Sequence, residues 1–138
     1  MAKGDEPVEE PVLSGMDAND IVTFELPQQT DSTSSSRVER MMLAALRPGG
    51  RLIVDGNAVA YMSAAGVRAL ATVLHRAEEQ RARVVLCRFS GAAADCLVVS
   101  GFSQLFDIAG SVEEAKARLR SGLRGPPVER LHPRGAAG

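Results

Sequence analysis

Residues 51–68 read Arg51-Leu52-Ile53-Val54-Asp55-Gly56-Asn57-Ala58-Val59-Ala60-Tyr61-Met62-Ser63-Ala64-Ala65-Gly66-Val67-Arg68. Arg51 to Asp55 is a short apolar run with turn residues on both sides, Pro48-Gly49-Gly50 before it and Gly56 after it. Such a run is the signature of a buried strand. A loop from Gly56 to Met62 follows. From about Ala64 to Glu79 the spacing becomes helical: Val67, Leu70, Leu74 and Ala77 mark one face, and Arg68, Arg76 and Glu79 occupy others. Ser63 stands where a helix N-cap is expected.

The same alternation runs outward in both directions. Upstream, Ile21 to Leu26 is rich in β-branched and aromatic residues and is closed by Pro27, as a first strand should be. The polar stretch after it suits turns and caps. Ser35 or Ser36 can cap a helix over Arg37 to Leu46, where Val38, Met42 and Leu46 recur. Downstream, Arg83 to Phe89 reads as a strand, Ser90 to Gly101 as a helix and Leu105 to Ile108 as a short last strand. Ser111 caps a final helix, with Glu114 three residues on as in a capping box and Val112, Ala115 and Leu119 as its apolar face. Strand and helix alternating four times predicts an α/β fold: roughly four strands in a mainly parallel sheet, with about four helices packed on it.

The chain of 138 residues has a formal net charge of -1, which leaves room for one domain. Residues 1–19 are dominated by acidic residues, Pro and Gly, too polar to repay the entropy of ordering, and read as a disordered lead. Residues 122–138 read as a flexible tail for the same reason, leaving a domain at 20–121. A near-neutral charge argues against nucleic acid as a partner, since that needs a strong basic field. No apolar run approaches the roughly 18 residues of a membrane span, and the amino end is acidic where a signal peptide is basic, so a cytoplasmic protein is expected.

The stretch 51–68 resembles the central motif of STAS domains, the bacterial anti-sigma factor antagonist family. In that motif a strand ending in Asp is followed by a loop, an aromatic, an aliphatic, and Asp-Ser-Ser-Gly at a helix start. Asp55 matches the strand-end Asp, Tyr61 and Met62 the aromatic and aliphatic, and Gly66 the Gly, without a gap. The likeness continues through Ala77 to Ala115 and covers roughly residues 20–120. It implies a STAS fold and a transcription regulator that works by partner switching. The first Ser of the motif is phosphorylated by a serine kinase that is itself the anti-sigma factor, and the unphosphorylated form binds that kinase and releases the sigma factor. A helix start suits this chemistry, because its unpaired N–H groups favour a phosphate while the added charge of about -2 disrupts a docked partner.

This chain departs from the motif at the switch itself. The second Ser is Ala65, the phosphoacceptor position is Ala64, and the preceding Asp is Ser63. Ser63 is either an N-cap, contributing about 1 kcal/mol, or an acceptor one residue out of register. Without a working acceptor, the protein binds its partner constitutively or answers to something other than phosphate. Candidate partner contacts are Asp31, Asn57, Tyr61, Met62 and Arg68, grouped with the helix start at Ser63, Ala64, Ala65 and Gly66. Core packing is the competing reading for Tyr61 and Met62. Two other roles compete with the antagonist: a non-catalytic STAS subunit of a signalling scaffold or lipid-transport complex, and ligand sensing in the crevice beside Ser63.

Catalytic and metal chemistry are thin. Gly101 to Leu105 begins like a GxSxG elbow but lacks the last Gly and follows a helix, with His75 and His132 as its available bases. Asp31, Asp55 and Asp107 have no metal-site or paired-carboxylate spacing. Cys87 and Cys96 lie in apolar stretches and read as two buried, inert thiols. No enzyme, cofactor or metal is expected.

Overall fold

The computed structural model describes residues 12–16, 21–101 and 104–121. Its elements alternate along the chain: strands β1 (Val12–Met16), β2 (Ile21–Glu25) and β3 (Gln29–Thr30), helix α1 (Ser35–Ala45), strands β4 (Arg51–Asp55) and β5 (Tyr61–Met62), and helix α2 (Ala64–Glu79). Strand β6 (Arg83–Cys87), helix α3 (Gly91–Ser100), strand β7 (Asp107–Ala109) and helix α4 (Val112–Ser121) complete them. The main sheet runs β1-β2-β4-β6-β7, and β3 pairs with β5 in a separate two-stranded ribbon. The pairs β2–β4, β4–β6 and β6–β7 are parallel, whereas β1–β2 is antiparallel.

The sheet is sandwiched, which is why its strands are apolar on both faces. On one face Val22, Phe24, Leu52, Val54, Val84, Leu86 and Ile108 pack against α1, α2 and α3 through side chains such as Val38, Met42, Val67, Leu70 and Leu97. On the other, Ile21, Ile53, Val85, Cys87 and Ala109 pack against Ala115 and Leu119 of α4. Full burial of each large aliphatic contributes about 1.5–3 kcal/mol.

The expected mainly parallel sheet of roughly four strands is present as β2-β4-β6-β7, while three other details need correction. To that sheet β1 adds a fifth, antiparallel strand from inside the stretch read as a disordered lead. There the apolar island Val12–Met16 uses the free edge of β2, although the composition around it is polar. Helix α1 begins at Ser35 after Ser34, earlier than Arg37, because Asp31 turns the chain: its carbonyl accepts from the Ser34 and Ser35 amides at 3.1 and 2.8 Å. The last strand starts at Asp107 instead of Leu105, whose side chain is exposed in a turn. Cys87 is buried as expected, but Cys96 is only half-buried, packing against the edge of the core from α3. The tail 122–138, with His132, and Phe102 and Ser103 of the elbow-like stretch lie outside the described residues.

Helix α4 carries its own lock. Ser111 Oγ accepts the Glu114 amide at 3.0 Å, and Glu114 accepts the Gly110 amide at 3.1 Å, close to the reciprocal capping arrangement. From the same helix Arg118 reaches Asp107, and Arg83 of β6 reaches the other oxygen of that carboxylate.

Candidate functional site

The site forms where the carboxyl ends of β4 and β6 release their loops. Asp55 closes β4, buried, and its carbonyl accepts the Leu26 amide at 3.0 Å. Its Oδ1 accepts the Asn57 amide and Arg88 Nε, both at 3.0 Å, and its Oδ2 accepts Arg88 Nη2 at 2.5 Å. This is the two-pronged guanidinium–carboxylate pair, the strong form of a charge-assisted bond. Asp55's hydrogen bonds raise the pKa of Arg88 above its ordinary value, with burial working against them. Beside it, burial pushes the Cys87 thiol up to about 12, and the charge of Asp55 adds to the effect, so this thiol is inert at neutral pH.

Gly56 must be glycine, since a Cβ there would lie 2.8–2.9 Å from ring carbons of Phe89. Its amide donates to Cys87 O at 2.9 Å, and Val59 N turns back to Gly56 O at 3.1 Å. The amides of Ala60 and Tyr61 both reach Gln28 O, and the β3–β5 ribbon sets Gln29 beside Tyr61 and Thr30 beside Met62. Ser63 N then donates to Thr30 O at 3.1 Å. Gly66 permits this approach: a Cβ there would meet Thr30 O at 2.5 Å. The Asp31 loop, the Gly56–Met62 loop and the start of α2 are therefore bonded into one surface.

The structure separates the candidate residues. Asn57, Tyr61, Ala64 and Arg68 are exposed, with Tyr61 retaining 51% of its surface, and Asp31, Ser63 and Ala65 are half-buried. Met62 does not join them: it is 4% exposed and packs in the core, because adjacent residues of a strand point to opposite faces and Tyr61 takes the outer one. Gly66 is buried against Thr30. Ser63 is the N-cap of α2, its Oγ accepting from Ala65 N at 3.2 Å. The first turn of α2 holds no acidic side chain, leaving its positive dipole end open. At Asp31, bonds from the Thr33 hydroxyl at 2.7 Å and the Thr33 amide at 3.0 Å hold the carboxyl below its ordinary pKa.

Sequence reasoning missed Arg88. The signal available was a charged residue between two buried apolar ones, Cys87 and Phe89. Elsewhere the chemistry is sparse. Among the described residues no group of His, Cys, Asp and Glu could hold a metal ion, and no helix is long and apolar enough to cross a membrane. His75 is exposed and faces Glu79 at 3.3 Å. A cavity of about 190 Å³ lies at the start of β4, lined by Val22, Ala45 and Arg47 to Arg51, at the far end of the sheet from Ser63.

The STAS domain family profile matches residues 17–115. A candidate anti-sigma factor antagonist of Bordetella bronchiseptica, BtrV, is 28% identical over 94 residues, covering 67% of this chain and 81% of that protein. Among solved structures, the anti-sigma factor antagonist SpoIIAA in its unphosphorylated form superposes with a TM-score of 0.67 at 20% identity, over 84% of this chain and 100% of that one. A STAS domain protein from Planctomyces limnophilus gives 0.64 at 16% identity, over 83% and 98%. At these identities the structural likeness is one of fold.

Proposed function

The chain belongs to the STAS domain family, and from that premise we propose that it is a cytoplasmic anti-sigma factor antagonist. In this reading it acts by binding, without catalysis. Its partner is a serine kinase of the switch type that doubles as the anti-sigma factor, and docking releases the sigma factor. The observation that carries the reading is the bonded surface around the start of α2. There the Asp31 loop is tied to the Gly56–Met62 loop and the helix start that continues it by the Ser63–Thr30 and Ala60/Tyr61–Gln28 bonds, and the surface presents Asn57, Tyr61, Ala64 and Arg68 outward. An exposed aromatic amid small side chains suits a protein partner, because such anchors dominate binding energy.

Ala64 makes the switch unusual. Phosphate on an exposed side chain there would set about two negative charges on the docking surface, but alanine offers no hydroxyl. The Ser63 hydroxyl is already engaged as the helix cap, accepting from Ala65 N. We therefore assign constitutive binding, with Ser63 as a cap and not an acceptor. Intact-mass analysis of the protein pulled down from its host lysate tests this. An unmodified chain with a switch-type kinase bound is the expected result. Stoichiometric phosphate on Ser63 would overturn constitutive binding, and recovery of scaffold or transporter subunits alone would overturn the antagonist role itself.

A further inference from the structure

Arg88 holds a backbone conformation that its residue type avoids. Its φ is +60°, in the left-handed region where a side chain crowds the following carbonyl. Arg81 is the other non-glycine with positive φ among the described residues, and its reason is local. Arg81 N donates to Glu78 O at 3.3 Å and Ala82 N to Ala77 O at 2.8 Å, the pair of bonds that closes a helix through a left-handed residue. Arg88 closes no helix. It stands between β6 and α3 and turns its side chain onto a carboxylate 33 residues away in the chain. Strain without a local cause is kept where the surroundings use it.

The use can be read from the bonds of Asp55. The oxygen that accepts Arg88 Nε also accepts the Asn57 amide, so the guanidinium fixes the carboxylate that fixes the loop. Phe89, the next residue, covers Gly56. The exit of β6 thus grips the first two residues of the loop that carries Asn57 to Tyr61 onto the exposed surface. Arg88 retains 40% of its side-chain surface, so it guards the rim of the site and not the core.

We propose that Arg88 is the positioning residue of the docking surface: by clamping Asp55 it sets the shape in which residues 56–61 meet the partner. This rests on the partner-binding reading above. The test uses Arg88→Gly and Arg88→Asn, which accept a positive φ more readily than Arg and remove the clamp without adding backbone strain. Hydrogen exchange is followed peptide by peptide in the full chain, together with affinity for the switch-type kinase recovered with the wild type. Exchange across residues 56–62 should quicken about tenfold while β6 and α4 keep their protection, and affinity should weaken by about tenfold. Unchanged exchange at 56–62 overturns the proposal, as does an equal rise in β6 and α4, which would mark a general stability residue. If the wild type recovers no kinase, the functional reading fails while the exchange pattern still decides the role of Arg88.

Discussion

Asp55 and Asp107 are both buried, both lie in strands of the main sheet and both are held by arginine, yet their surroundings differ in kind. Asp107 sits in a closed network. Arg118 Nη1 donates to it at 2.7 Å and to Ile108 O at 2.8 Å, Arg118 Nη2 donates to Glu114 at 2.6 Å, and Arg83 Nη2 takes the second Asp107 oxygen at 2.6 Å. Arg118 keeps only 9% of its side-chain surface and Asp107 2%, so the centre of this group is closed to solvent, with Arg83 and Glu114 half-buried around it. Asp55 has a single arginine partner among the described residues, 40% exposed and strained at φ +60°, and passes its hold to a surface loop. The same ion pair thus serves two ends: one pins α4 to the sheet, and the other shapes a rim. Closure of the network, more than the presence of charge, separates scaffold from site.

Breaking the closed network should give the largest effect. Arg118→Ala leaves Asp107 and Glu114 short of a buried partner and should cost about 3–5 kcal/mol in urea unfolding. Protection of residues 56–62 should fall no more than that of the rest of the chain. A loss under about 1 kcal/mol, the value of a surface pair, would show that the network does not pin α4 and would remove the contrast with Asp55.

Ser63→Ala sharpens the other side of the comparison. It deletes the bond from Ala65 N and should cost about 1 kcal/mol, with the change in exchange confined to the first turn of α2. No measurable loss would mean that the hydroxyl is not spent on the cap, and would reopen its use as an acceptor.

The smallest effect is expected at Asp31. Its folded pKa is depressed by the Thr33 hydroxyl and amide, so the loop gains stability that is fully present above the unfolded value of about 3.9 and is lost as pH falls through the lower folded value. Titration followed by the Thr33 amide resonance should show a midpoint below about 3.9, and Asp31→Asn should abolish the transition. A midpoint at or above the ordinary aspartate value would mean that the turn bonds do not form in solution.

Much of the fold could be read from periodicity. Arg51–Asp55 and Ala64–Glu79 stand in the structure where their patterns put them, because apolar runs and helical spacing report burial directly, whereas the strand read from Arg83 to Phe89 ends at Cys87, before the left-handed Arg88. The β3–β5 ribbon could not be foreseen: two residues have no period, and their pairing depends on Gly66 letting Thr30 approach. At the site, the grouping of the Asp31 loop, the Gly56–Met62 loop and the start of α2 was anticipated from the family resemblance. Of the two readings open for Tyr61 and Met62, core packing holds for Met62 and not for Tyr61, because adjacent strand residues face opposite ways and the sequence does not say which of the two turns inward. Arg88 stayed hidden because its meaning lies in a contact 33 residues distant and in a dihedral angle, and neither leaves a local pattern.

The antiparallel pairing of β1 with β2 is irregular: the register shifts between Leu13 and Gly15. A regular outermost strand would offer an unbroken row of amides and carbonyls as a template for strands of other molecules. A shift of this kind interrupts such a row, a recognised defence against edge-to-edge aggregation and strand exchange. For a small protein whose net charge is only -1, net charge repulsion gives little protection against association, so an irregular edge is worth more here than in a strongly charged chain.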